Sequence, residues 1–254
     1  MTPDMLREHM KKFYSPSSTV ACFCGSFDRE KIISLCKRFF GSPASADELP
    51  PLSKAEFCTG VYIFDKKTEQ NQIAIGFSAP SLESDSRFAC QLIASMLGGS
   101  ASSRLFRRLR EEQGLVYSVD AGAMSFLSAG VFAVTMGVSR ESEKKAVLAA
   151  AEVLREFPDT VTENELDLAR SHYLSGLIMS LESNSVRASR YGTGELLLGG
   201  AISEKELEEK IRNVGIDEIR TLARSFSSLS DACICAVGKT AGTKFYNKVV
   251  SAGK

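Results

Sequence analysis

The sequence has only two histidines in 254 residues, His9 and His172. Neither belongs to H-E-x-x-H or H-x-x-E-H, so the chain carries no zinc-hydrolase motif of its own. Each reads as a surface or interface histidine. A nucleophile elbow, G-x-S-x-G, is missing, and so is any support for a Cys/His pair. "GGSASSR" at 98–104 sets glycine and serine before a helix. It has neither G-x-G-x-x-G nor a P-loop lysine, so it reads as a connecting or substrate-shaping loop. Excess charge is absent too: 31 Lys+Arg balance 31 Asp+Glu, leaving no global field for nucleic acid or an anionic membrane surface. No apolar run approaches the ~20 residues of a membrane span. "MTPDMLREHMKKFY" has no apolar signal-peptide core. The expectations are a cytoplasmic protein that binds neither nucleic acid nor membrane.

Seven cysteines form no C-x-x-C set and leave one over. Their neighbours are apolar ("VACFCG", "ACICAVG"), which predicts buried, reduced core residues.

What is present is a regular alternation of short elements. Pro3 after Thr2 predicts a helix start, and "DREKIISLCKRFF" is an amphipathic helix. Between them "STVACFCG" reads as a short strand ending at Gly25. The proline-rich "GSPASADELPPLSK" reads as a linker. Strands are predicted at "GVYIFDK" and "QNQIAIGFSA", then helices at "DSRFACQLIASMLGG" and "SSRLFRRLREEQG". A hairpin follows from "LVYSVDAGAMSF" and "AGVFAVTMGVS". The helix "ESEKKAVLAAAEVLREF" is expected to stop before Pro158. Thr162-x-x-Glu165 and Ser203-x-x-Glu206 are capping boxes opening two more. "IDEIRTLARSF" then leads into a last strand, "DACICAVG". The pattern predicts an α+β fold with a largely antiparallel sheet packed with helices.

"MKKFYSPSSTVACFCG" and "ARSFSSLSDACICAVG" share one layout: helix end, polar loop, Cys-containing strand, glycine. Placing Gly25 on Gly238 also places Phe13 on Phe226. The repeat suggests a unit of roughly two hundred residues of which the first forty are only the closing piece. The expected organisation is a closing piece of a preceding half-domain at 1–44, a linker at 45–54 and a half-domain at 55–254, with Met1 a boundary rather than a natural start.

"LREEQGLVYSV" sets Arg110 at a helix end and Tyr117 at a strand start, across Gly114. Residue type alone favours a helix–strand junction in which Tyr117 packs and Arg110 pairs with an acid. The functional alternative needs both side chains in one cavity, where neutral Tyr and permanently charged Arg donate hydrogen bonds to an oxyanion. They cannot supply the attacking water or its base. Nearby, Arg104, Arg107 and Arg108 read as a solvated helix face, or else as part of a charged cavity wall.

"LGGSASSRLFRRLREEQGLVYSV" resembles the central motif of the second half-domain of pitrilysin/insulinase-type zinc metallopeptidases, the group that includes mitochondrial processing peptidase. The likeness extends over about residues 55–240, and residues 2–32 resemble the end of the preceding half-domain. It implies a processing-peptidase-like α+β half-domain in a clamshell around a peptide. Arg110 and Tyr117 would be its catalytic pair, with Gly98, Gly99 and Ser100 in a substrate-binding loop. Zinc would sit in a complementary half-domain or partner subunit, since no metal ligand falls in this chain. The implied partners are a peptide or unfolded polypeptide substrate, the zinc-bearing half and, as a further possibility, a second copy. Alone the chain is expected to be inactive. The alternative is a non-catalytic peptide-binding or scaffold subunit of the same fold.

Overall fold

The computed structural model describes residues 1–15, 18–41, 53 and 55–252. Of the linker expected at 45–54, all but Ser53 lies outside the described residues. Two compact units are present: residues 1–53 with 176–207, and residues 54–175 with 208–254.

The second unit is built on five strands: β1 (Gly60–Asp65), β2 (Asn71–Ala79), β3 (Val116–Ser125), β4 (Gly130–Val138) and β5 (Cys233–Gly238). Their order is β1-β5-β2-β4-β3. β2–β4, β3–β4 and β2–β5 are antiparallel, while β1 runs parallel to β5. The expected α+β fold with a largely antiparallel sheet is therefore present, with one parallel pair. The final strand enters between the first two, so the sheet is complete only when the C-terminal segment has been placed.

Alternation along the strands sorts their side chains onto two faces. Ile73, Ile75 and Phe77 of β2, Phe132, Val134 and Met136 of β4, and Ile234 and Ala236 of β5 point into the core. That face is covered by α3 (Ser86–Gly98), α4 (Glu143–Thr160) and α8 (Ile216–Arg224), with α3 packed on β3 and α8, and α4 on α8. Phe77, Phe132 and Phe226 form an aromatic cluster at its centre, the last two stacked with centroids 4.5 Å apart. Burying Phe226 alone stabilises the unit by about 1.5–3 kcal/mol. The other face carries mostly small or polar residues, among them Gln72, Ala74, Gly76, Ser78 and Thr135.

This two-faced sheet corrects the reading of the cysteines. Only Cys90 on α3 is buried; Cys58 is exposed and the other five are half-buried. Cys233 and Cys235 alternate with Ile234 and Ala236, which puts both thiols on the uncovered face. All seven are free thiols. Burial pushes the Cys90 thiol up to about 12.

α4 corrects another expectation, since it runs through Pro158 to Thr160. The proline removes one ladder bond near the helix end, and its ring is buried. Beyond it the Thr162 box forms as read: the Glu165 amide donates to Thr162 Oγ1 (3.3 Å), and the Thr162 amide donates to Glu165 Oε2 (3.0 Å). It opens α5 (Glu163–Ser180), and Ser203 caps α7 (Glu204–Asn213) by accepting from the Glu206 amide at 3.1 Å. Two helices had no counterpart in the sequence reading: α6 (Asn184–Leu198) and α9 (Thr243–Ala252).

A buried carboxylate fixes the return from β5 into α9. Glu143 Oε1 accepts from the Ala241 amide (2.9 Å) and the Tyr246 hydroxyl (2.6 Å), and Oε2 accepts from Asn71 Nδ2 (2.8 Å). Burial, followed by this carboxylate, pushes the Tyr246 phenol well above its ordinary range.

The first unit contains α1 (Pro3–Phe13) and α2 (Arg29–Phe40), capped by Thr2 and Asp28, together with α6. Residues 18–25, expected as a strand, form none. A strand needs neighbours for its backbone groups, and the described residues put no strand of this unit beside it.

Candidate functional site

Three local irregularities meet at the Arg110–Tyr117 junction. The helix expected at 102–114 is π-helical over Phe106–Glu112, a rare widened form that is frequent at functional sites. It ends at Gly114, whose φ of +58° is left-handed, and the Leu115 amide closes the end on Leu109 O at 2.8 Å. A Cβ at Gly114 would touch nothing within 4 Å, so backbone conformation alone accounts for the glycine. The register of β3 against β4 then shifts between Val116 and Ser118, a bulge centred on Tyr117. β3 is an edge strand, and Tyr117 is 55% exposed.

Arg110 reaches across this junction: Nη1 donates to Val116 O at 2.6 Å, on the carbonyl preceding Tyr117. That single bond uses one of five guanidinium donors. Among the described residues neither the rest of the guanidinium nor the Tyr117 hydroxyl has a recorded partner. The chain thus brings Arg110 to the base of the strand turn that carries Tyr117. Guanidinium and phenol are hydrogen-bond donors by type.

Gly98 is the last residue of α3 and packs against β3, where a Cβ would come within 2.1 Å of the Ala121 amide nitrogen. Gly99 caps the helix, its amide donating to Ser95 O at 3.2 Å. Ser100 is half-buried in the following turn and shares a hydrogen bond with Ser102. Helix–sheet contact therefore accounts for Gly98, and only Ser100 of the three has a side chain to offer.

Of the basic cluster, Arg104 is not solvated. It forms a two-pronged bond to Glu165 (2.7 and 2.8 Å) and also reaches Thr160 Oγ1 and O. The Arg104 hydrogen bond holds the Glu165 carboxyl below its ordinary range. This ties the start of the π-helical stretch to the α4–α5 junction. Arg104, Arg107 and Arg108 line a cavity of about 240 Å³ together with two carboxylates, Glu112 and Glu156, which offset two of the three positive charges. Neither the π-helix, the bulge nor the Arg104 anchor has a sequence signature; the glycine at 114 is the one legible sign of the turn.

His9 and His172 are both exposed. Among the described residues no group of three or more His, Cys, Asp or Glu could hold a metal ion. The described residues do not offer the ligand set of a catalytic zinc. Nor, among the described residues, is any helix long and apolar enough to cross a membrane.

Comparison with known proteins bears on the whole chain. The family model described as the peptidase M16 inactive domain matches residues 1–173. A zinc protease of Bacillus subtilis, YmxG, is 30% identical over 222 residues, covering 87% of this chain and 54% of the relative. A zinc protease of Rickettsia bellii is 29% identical over 93% of this chain and 58% of its own length. The chain thus spans about half the length of these relatives. Among solved structures, an M16 inactive domain from Pseudomonas fluorescens matches with a TM-score of 0.71 at 18% identity, over 85% of this chain and 52% of that one. A chain of complex III2 from Candida albicans matches with a TM-score of 0.77, also at 18% identity, over 90% and 57%. These structural likenesses speak for the fold. With two thirds of its residues under one family model and relatives named as zinc proteases, the chain belongs to the peptidase M16 family, in which it matches the inactive domain.

Proposed function

We propose that this chain is the substrate-binding, oxyanion-stabilising part of a zinc-dependent endopeptidase, acting opposite a zinc-bearing half-domain or subunit. The observation that carries the proposal is the Arg110 bond to Val116 O, which fixes a guanidinium beside an exposed tyrosine on an edge strand. An extended peptide adding to that edge would gain backbone hydrogen bonds independent of its sequence. Its scissile carbonyl would then lie within reach of donors preset for a developing negative charge. Losing one such donor typically costs about 2.7–4 kcal/mol. No step of the chemistry runs through a metal on this chain, and hydrolysis requires the partner half.

The test is hydrolysis of a quenched unstructured peptide by the assembled enzyme. Tyr117→Phe should lower turnover tenfold or more, roughly 1.4 kcal/mol per factor of ten, with circular dichroism unchanged. Near-normal turnover removes the role. A second reading, a non-catalytic peptide-binding or scaffold subunit, draws on the same Val116 carbonyl bond, since that bond also serves as a structural cap. It predicts peptide binding by the assembly without hydrolysis in wild type and variant alike.

A further inference from the structure

Between α4, α9 and the turn at 227–229 the second unit holds a cavity of about 750 Å³, a volume typical of small-molecule sites. α4 gives it one face, on which Lys145, Leu148, Glu152 and Arg155 recur three to four residues apart. Leu148, 53% exposed, lies between the two cations, and Leu229 and Val249 extend the apolar lining. No lining residue is aromatic. Most of the polar lining is already engaged within the chain. Glu152 meets Arg108 at 3.7 Å. Ser227 Oγ donates to Arg224 O at 2.7 Å, and Ser228 Oγ shares a hydrogen bond with Ser230 Oγ at 2.8 Å. Among the described residues the Lys145 ammonium and the Arg155 guanidinium make no hydrogen bond or ion pair. What the cavity offers a ligand is therefore aliphatic surface with a free cation toward either end, ten residues or about 15 Å apart along the helix.

We propose that this cavity binds a single-chain aliphatic anion, by class a long-chain carboxylate. Its chain would lie along α4 and be withdrawn from water against Leu148, Leu229 and Val249. Its head would pair with Arg155, whose guanidinium takes a carboxylate in two-pronged fashion, or with Lys145 at the other end. A cationic ligand is disfavoured, since the one carboxylate of the lining is already met by Arg108. A nucleotide is disfavoured as well, because no ring is present for a base to stack on. A small inorganic anion would leave the apolar lining wet. The occupant would also border Gln113, which caps the π-helical stretch.

Binding is read on the full chain by isothermal titration calorimetry, without turnover, so its outcome is independent of the Arg110/Tyr117 reading. Dodecanoate, kept below its micelle-forming concentration, should bind saturably, one molecule per chain. Acetate should not bind, and dodecanol should bind at least tenfold more weakly. Lys145→Ala combined with Arg155→Ala should weaken dodecanoate at least tenfold, and so should Leu148→Glu. All three side chains are exposed, so the thermal transition should be kept. Leu168→Glu makes the same change at a 63% exposed leucine of α5 outside the cavity and should leave binding as it was. Absence of saturable binding, or an affinity indifferent to Leu148→Glu or to the double variant, would each overturn the proposal. Weakening by Leu168→Glu would overturn it by showing adsorption to exposed apolar surface. Binding to phosphatidylglycerol vesicles without uptake of monomeric dodecanoate would do so as well, by assigning the two cations to a bilayer surface.

Discussion

Phe226, in the segment 216–252, stacks on Phe132 and is sealed from water. Its counterpart Phe13, in the segment 3–39, leans on His9 of its own helix with centroids 4.6 Å apart and remains exposed. The local features of the two segments agree nonetheless: a helix with an Asp–Arg pair one turn apart, a glycine at φ near +135°, then a second helix. Helix and turn are thus set by neighbours in sequence. The strand differs, because its hydrogen bonds must come from elsewhere. Copy two finds β1 and β2 and becomes β5, whereas copy one finds no strand beside it among the described residues.

The difference is tested most severely by truncating the paired phenylalanines. Phe226→Ala should destabilise the second unit by about 3–5 kcal/mol, through lost burial and the cavity left in the aromatic cluster. Phe13→Ala should shift the free chain by no more than about 0.5 kcal/mol. Urea denaturation of each variant checks the contrast. A comparable loss from both would mean that Phe13 is not in open surroundings.

The paired glycines give a smaller contrast with a clearer cause. Both positions favour glycine by φ, so alanine costs about 1–3 kcal/mol of backbone strain at either. At Gly238 a Cβ would also come within 2.2 Å of Asn71 Oδ1, whose amide group is held by Glu143. At Gly25 the nearest atom is Asn184 Nδ2 at 3.5 Å. Gly238→Ala should therefore exceed Gly25→Ala by about 1–3 kcal/mol for overpacking. Equal losses in thermal unfolding would show that Asn71 gives way freely.

Much of the fold was legible where the signal is local. Thr2 before Pro3 and the Thr162/Glu165 box each cap the helix they announce. β2 and β4 were expected as strands and form as strands. What failed depended on distant partners: residues 18–25 as a strand, cysteines assigned to a core that their strand turns away from, and Pro158 as a helix end. At the candidate site Arg110, Gly114 and Tyr117 were visible as residue types. The π-helical stretch, which contacts β3 and α4, and the bulge at Tyr117 are encoded by no spacing in the sequence.

The smallest expected effect is a pH dependence of about 1 kcal/mol at Tyr246, whose counterpart Ile33 has no proton to lose. The Tyr246 phenol is held neutral by burial and by the Glu143 carboxylate, so its folded pKa lies above the ordinary 10.0. A raised pKa contributes stability that is complete below pH 10.0 and is lost as pH climbs toward the folded value, because only the unfolded chain releases the proton. Between pH 10 and 11 this loss is about 1 kcal/mol for one such group. Cys90, raised from 9.0 to about 12, gives a separate loss that begins one unit lower. Tyr246→Phe should lower stability at pH 8 by about 1.5–3 kcal/mol through the missing hydrogen bond to a carboxylate. It should also flatten the decline above pH 10, leaving the part owed to Cys90. Urea midpoints of wild type and variant at pH 8, 10 and 11 measure both quantities. Parallel declines would mean that the phenol ionises as readily in the folded chain as in water, and that the Glu143 clamp does not hold β5 and α9 in the way its distances imply.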